Sequence, residues 1–403
     1  MIRFACPLTL LLLGFVSPVF AESQGTAPLL PAPFATPSVS RSAKVIGWPK
    51  GQKPTAPSGF EVSLFAENLD YPRWLYILPN GDVLVAESTA GRITLLRDRN
   101  RDGKPELRTE FLENLNQPFG MVLVGDIFYV ANTDSLMRFP YQQGQTKITT
   151  AGKKILSLPA GGYNNHWTRN IVVAPDGKKL YVTVGSGSNV QENGGRNEIR
   201  RANILEVSLD GSGERIYANG LRNPVGIDWE PSTRKLWTVV NERDGLGDDL
   251  VPDYFTSVRE GAFYGWPYAY FGQNIDPRRK DERQDLVKKS IAPDYALGSH
   301  LAPLGLVFNR TDALPVSYRG GAFMSYHGSW NRSTLVGYKV VYMPFKDGKP
   351  SGPTQDFLTG FIASLNTREV YGRPVGLAMQ SDGSLLVADD GSNKIWRVSP
   401  ISR

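Results

Sequence analysis

Cysteine is almost missing from this chain: among 403 residues there is one, Cys6. A disulfide framework, a thiol nucleophile in the body of the protein and a Cys-x-x-Cys-His haem attachment site are thereby excluded. Histidine is nearly as scarce, with only His166, His300 and His327. None of the three stands at the i, i+4 helical spacing of a zinc motif. Beyond the N-terminus no apolar run is long enough to span a bilayer, so no transmembrane segment is expected in the mature chain. Nor is there a long 3.6-residue periodicity, so helices should be short and few. The net charge of +6 is scattered, and Pro277-Arg278-Arg279-Lys280 lies in a mixed-charge stretch that reads as solvated surface. Without a basic, aromatic-studded patch, nucleic acid is not an expected partner.

What is present begins with a processing signal. Arg3, an apolar core over residues 10–16 and the small-residue pattern Val19-Phe20-Ala21 read as a signal peptide over residues 1–21. The mature protein is therefore expected to be periplasmic or secreted. Residues 22–57, rich in Pro, Ala and Ser, read as a linker or surface strap. Residues 58–403 read as one β-rich domain.

Within that domain one phrase returns: a polar or basic residue, then Pro, an apolar residue and Gly, then an alternating strand. It stands as Gln117-Pro118-Phe119-Gly120, Arg222-Asn223-Pro224-Val225-Gly226 and Arg373-Pro374-Val375-Gly376, with looser copies at Tyr71-Pro72-Arg73-Trp74 and Ala302-Pro303-Leu304-Gly305. Starts near Pro72, Pro118, Trp167, Pro224, Pro303 and Pro374 give about six units, separated by roughly 45 to 80 residues. The expected fold is all-β, a six-bladed β-propeller with short helices and loop insertions. The longest insertion, residues 265–301, is expected to cover one end of a central channel, where the polar residues opening each copy converge.

Three constellations could carry chemistry there. His166 stands at a unit entrance, and a neutral imidazole near pH 7 suits abstraction of a hydroxyl proton. Arg222, Arg332 and Arg373 supply planar forks suited to carboxylates, and their convergence predicts a polycarboxylate ligand. The acidic stretch 241–253, with Asp244, Gly245, Asp249 and Asp253, offers hard oxygen ligands for Ca²⁺. Asp98-Arg99-Asn100-Arg101-Asp102-Gly103 resembles the first half of a second calcium loop, but its twelfth position is Thr109.

His166, Gly220-Leu221-Arg222-Asn223-Pro224 and Tyr264-Gly265-Trp266-Pro267 resemble the soluble quinoprotein sugar dehydrogenases that use pyrroloquinoline quinone (PQQ). Val251-Pro252-Asp253-Tyr254 and His327-Gly328-Ser329-Trp330-Asn331-Arg332 resemble the L-sorbosone dehydrogenase-like branch. The resemblance implies PQQ across the channel mouth and Ca²⁺ on its oxygens. It makes His166 the general base, and places Gln117, Arg222, Asn223, Arg332 and Arg373 around the cofactor. Where the family has an acidic metal ligand, this chain has Tyr254, so calcium would rest on carbonyls near Asp244 and Gly245 or on Asp249 or Asp253. A sugar, sugar aldehyde or polyol would be the substrate and an external acceptor would take the electrons. Two other readings stay open: a non-catalytic propeller that binds a partner, and a calcium-dependent propeller lactonase or hydrolase.

Overall fold

The computed structural model describes residues 24–401. The expected signal segment 1–21 lies outside the described residues. The described residues are nearly all β, with one short α-helix, Gln284–Val287, and two 3₁₀ turns among them. No helix among the described residues is long and apolar enough to cross a membrane.

Six four-stranded antiparallel sheets follow one another along the sequence. The first is Pro72–Ile77, Val83–Glu87, Arg92–Arg97 and Leu107–Leu112. The innermost strands of the next four are Met121–Val124, Ile171–Val173, Asn223–Trp229 and Pro303–Phe308. The sixth is Pro374–Met379, Leu385–Asp389 and Lys394–Pro400, completed from the other end of the chain by Phe60–Ala66.

Alternation explains how these strands bury both faces. In Val83–Glu87 every residue is buried. Val83 and Val85 join a core cluster with Leu386 and Ala388 of the sixth sheet, whereas Leu84 and Ala86 join Met121, Phe128 and Val130 of the second. Successive side chains of a strand point to opposite faces, so each sheet is cemented to both neighbours.

The recurring phrase has its cause at the innermost strands. A Cβ on Gly226 would stand 2.8 Å from the Leu306 backbone nitrogen, and one on Gly376 would stand 2.9 Å from the Trp74 Cα. Only glycine allows the first strand of one sheet to approach the next so closely. Trp74 and Phe119 meet ring to ring at 5.0 Å, and Asn170 Nδ2 donates to the Val225 carbonyl at 3.0 Å. The apolar residue after each proline converges on one cluster: Phe119, Val225, Leu304 and Val375, joined by Trp74. Water-avoiding side chains take the middle, and the polar ones remain at the end where the strands begin.

The insertion after Pro252–Ser257 packs beside the loops of that same end rather than standing free. Trp266 Nε1 donates to the Asn189 carbonyl at 2.8 Å, Arg279 Nη2 to the Val190 carbonyl at 2.6 Å, and Asp276 pairs with Arg243 at 2.9 Å.

Candidate functional site

Where the third, fourth and fifth sheets begin, a cavity of about 250 Å³ is walled by His166, Asn165, Arg222, Asn223, Asp244, Glu242, Asp253, His300, Trp330 and Asn331, among others. A larger cavity, about 1050 Å³, lies elsewhere against Val316, Tyr318, Asp382 and Arg397 and contains none of the predicted site residues. Each wall has its own origin. His166 ends the irregular segment ahead of Ile171–Val173, and Arg222 and Asn223 open the strand Asn223–Trp229. The loop 242–251 leaves Leu236–Asn241, and the loop 327–332 leaves Ala322–Tyr326.

His166 is held in one tautomer. Its Nδ1 lies 2.9 Å from the Ser186 carbonyl and 3.0 Å from Ser186 Oγ, whose own proton goes to the Ser188 carbonyl. A carbonyl only accepts, so Nδ1 carries the hydrogen and Nε2 keeps its lone pair. The Asn165 Nδ2 donor lies 3.4 Å from Nε2. Burial, and then the neighbouring Arg222 charge, lowers the imidazole pKa to about 3, so the ring is neutral at any working pH.

Arg222 is 3% exposed, and the chain itself engages all its donors. Nε and Nη2 reach the Asn189 carbonyl and Oδ1 at 3.1 and 3.0 Å, Nη1 reaches the carbonyls of Asn241 and Glu242, and Nη2 pairs with Asp244 at 3.1 Å. Asp244 in turn accepts from Asn331 Nδ2 and lies 3.5 Å from His300 Nδ1. Burial alone would raise the Asp244 pKa, but Arg222 and then His300 outweigh it and hold it below its ordinary value.

Two other acids of the same wall are pushed upward. Burial raises Glu242 to about 8 and Asp253 to about 6. Both Asp253 oxygens accept main-chain amides, from Glu242 at 2.8 Å and Ala302 at 2.9 Å. Glu242 accepts the Arg243 amide with Oε2, whereas its buried Oε1 has no partner, and neither has the buried Oδ1 of Asn223. Two hard oxygens with unused lone pairs therefore belong to residues that line one small polar cavity, a donor set suited to a cation.

The structure brings His166, Arg222, Asn223, Asp244 and Asp253 of the predicted site into this one cavity. It does not bring the others. Gln117 is exposed. Arg332 is tied to Asp249 at 2.6 Å and to the Asp248 carbonyl at 2.6 Å, so these two predicted residues neutralise each other. Arg373 sits beside the fifth sheet's loop with long contacts of 3.3 and 3.5 Å to the carbonyls of His327 and Gly328. Gly245 is at φ +89°, and a Cβ on it would stand 3.3 Å from Arg278 Nη2. Asp244, Gly245, Asp249 and Asp253 are thus not gathered as one ligand set, because the three carboxylates already have internal partners. Among the described residues no group of three or more His, Cys, Asp or Glu is disposed to hold a metal. The Asp98–Gly103 turn is a hairpin connection in the first sheet, closed by its own bonds, Gly103 N to Asp98 Oδ2 at 2.8 Å and Asp102 N to Asn100 Oδ1 at 2.9 Å.

Sequence reasoning passed over Glu242, Ser186, His300, Trp330 and Asn331. Glu242 stands within the acidic stretch, and Trp330 and Asn331 within the His327–Arg332 phrase, so both signals were in view without marking these residues. A second polar knot was also missed. Asp390 accepts from His327 Nε2 at 2.9 Å and from Arg73 Nη1, and the Arg73 guanidinium lies 5.3 Å from the Trp167 ring centre. Burial, then Arg373, lowers His327 to about 4.

The chain is similar to several known proteins. An uncharacterized protein of Borreliella burgdorferi is 29% identical over 353 residues, 85% of this chain and 89% of that protein. A pyrroloquinoline quinone-dependent pyranose dehydrogenase of Coprinopsis cinerea is 24% identical over 407 residues, which cover 86% of this chain but 54% of that enzyme, so the match spans about half of the relative's length. The calcium structure of a Trichoderma reesei enzyme of carbohydrate-active family AA12 superposes with a TM-score of 0.75 at 20% identity, covering 90% of this chain and 98% of that one. The model of the TrAA12-like family matches residues 54–253 and 261–400, and the chain belongs to that family.

Proposed function

We propose that this protein is a PQQ-dependent oxidoreductase that oxidises a sugar or sugar aldehyde, and that its six sheets are the blades of a six-bladed β-propeller whose strand-entrance end holds the cofactor. The observation that carries this reading is His166: a neutral imidazole, its Nδ1 fixed by a carbonyl, presents an Nε2 lone pair at the wall of a polar cavity. The C. cinerea relative named for the cofactor and the calcium-bound T. reesei structure support it.

The residues present fit both groups. Glu242 Oε1 and Asn223 Oδ1 would hold Ca²⁺, with carbonyl oxygens of the Asp244–Gly245 segment beside them. Arg373, whose guanidinium makes two long hydrogen bonds and lies 5.9 Å from the Tyr338 ring centre, has donors left for a cofactor carboxylate, whereas Arg222 serves by orienting Asp244 and shaping the wall. When bound, PQQ with Ca²⁺ would supply a two-electron oxidant able to accept hydride from the substrate carbon. His166 Nε2 accepts the proton of the substrate hydroxyl, and the Ser186 carbonyl steadies the imidazolium through Nδ1–H. Trp330, 45% exposed on the cavity rim, offers an apolar face to a sugar ring. With no haem motif in the chain, electrons leave to a separate acceptor.

A binding scaffold has no use for an oriented base in a cavity. A lactonase would need carboxylates from several sheets around one ion, but Glu242, Asp244 and Asp253 all belong to the fourth sheet and its loop. The test is a titration of the protein with PQQ and Ca²⁺, followed by absorbance on addition of aldoses and sugar aldehydes. Tight binding and bleaching of the quinone band are expected, and no binding of PQQ in excess Ca²⁺ rules the reading out.

A further inference from the structure

The N-terminal segment before residue 54 lies outside the region matched by the family model, yet it visits the site loops in turn. It is anchored first at Gly25, which exchanges two backbone hydrogen bonds of 2.9 Å with Ala296. Phe34 then donates its amide to the Leu246 carbonyl at 2.8 Å. Thr36 Oγ1 accepts the Asp248 amide at 2.7 Å, and Ser38 Oγ accepts the Gly247 amide at 3.0 Å. Arg41 donates to the Trp330 carbonyl at 2.6 Å. Lys44–Val45 adds as a parallel strand beside Glu369–Val370, and Trp48 Nε1 donates to Asp389 Oδ2 at 2.9 Å. The other Asp389 oxygen accepts the Arg373 amide at 2.8 Å.

The two residues whose amides are gripped by Ser38 and Thr36, Gly247 and Asp248, are bonded through their own carbonyls to groups of other loops. The Gly247 carbonyl receives His300 Nε2 at 2.9 Å, and His300 Nδ1 meets Asn331 Nδ2 at 3.0 Å, the same amide that binds Asp244. The Asp248 carbonyl receives Arg332. A hydroxyl on the strap therefore bonds the amide of each residue, while cavity-lining His300 bonds the carbonyl of Gly247 and Arg332 of the 327–332 loop bonds that of Asp248. The fit is close: a Cβ on Gly247, where φ is +112°, would stand 2.7 Å from Thr36 Oγ1.

We infer that Thr36 and Ser38 are positioning residues: through Gly247 and Asp248 the strap fixes the 242–251 loop against the 327–332 loop and so sets the affinity of the cavity for cofactor and calcium. This rests on the function proposed above. Pre-organisation is the physical reason, since a loop already held in its binding geometry loses less freedom when its ligand arrives.

The test compares the wild type with Thr36→Val/Ser38→Ala, which keeps the side-chain bulk and removes both acceptors, and with Thr36→Ser/Ser38→Thr, which retains the hydroxyls. PQQ binding in excess Ca²⁺ is read by calorimetry, and exchange of the Gly247 and Asp248 amides is read on the ligand-free protein. The hydroxyl-free variant should bind PQQ about tenfold more weakly, the joint effect of two ordinary hydrogen bonds, and its two amides should exchange about tenfold faster. The hydroxyl-retaining variant should restore both readings to within about threefold, with Tm unchanged within about 2 °C in either variant. Wild-type affinity in the hydroxyl-free variant overturns the inference. Failure of the wild type itself to bind PQQ overturns the proposed function and this inference with it, and is told apart by the first titration.

Discussion

Replacing His166 with glutamine asks the sharpest question of the site. The side chain has no interior partner beyond Ser186 and Asn165, so its loss removes a base without opening a core. With a pKa near 3 the imidazole is wholly neutral at pH 7, and every molecule carries the required lone pair on Nε2. A positioned base contributes about 10²- to 10⁴-fold in rate, which is about 3 to 5.5 kcal/mol of barrier. H166Q should therefore lower kcat in a dye-linked assay by at least about a hundredfold while PQQ affinity changes little. Ser186→Ala makes the contrast. It removes the 3.0 Å contact but leaves the carbonyl that sets the tautomer, so kcat should remain within about threefold. A loss of less than about tenfold in H166Q, with cofactor binding intact, refutes the base assignment.

Other expectations follow from the same geometry. Imidazole proton signals of His166 and His327 should not titrate between pH 5 and 8, and two titrating signals from these residues would contradict their environments. His327 is depressed from 6.5 to about 4, so the unfolded chain binds the proton first. Stability from this group is full above about pH 6.5 and falls by about 3 kcal/mol as pH drops through 4, measurable by urea unfolding across that window. Asp390→Asn leaves Arg73, 4% exposed, without its counter-charge and should cost about 3–5 kcal/mol in denaturant midpoint analysis. Gly226→Ala drives a methyl against Leu306 and should cost about 1–3 kcal/mol; a neutral effect would show that the inner strands do not meet as closely as described.

Burial of both faces made some strands legible, although Pro252–Ser257, Tyr295–Ser299 and Ala322–Tyr326, equally enclosed, went unread. Leu385–Asp389 and Lys179–Val184 are almost wholly enclosed, so apolar residues run through them between turn signals. The outer strand Lys153–Ser157 left no comparable trace, because its exposed side chains need no apolar alternation. Unit starts read from the Pro-Gly phrase fall within a few residues of the innermost strands, but the phrase reports close packing of backbones rather than a shared polar centre. The cavity was partly legible for a related reason. His166 and Arg222 are rare or phrase-marked residues, whereas Glu242 and Asn331 matter through burial and an unpaired or shared hydrogen bond, neither of which local sequence encodes. Arg332 and Asp249 were each read as free for a ligand, and only the fold reveals that they meet.

The sixth sheet has a temporal consequence. Phe60–Ala66 is made well before Lys394–Pro400, yet each is the other's hydrogen-bonded neighbour. During synthesis the early strand waits with an open edge until Lys394–Pro400 has emerged, which favours slow, non-local closure and calls for protection from wrong pairings. A chain that stops short of residue 394 would forfeit this clasp, and both flanking sheets would lose a covering layer at once.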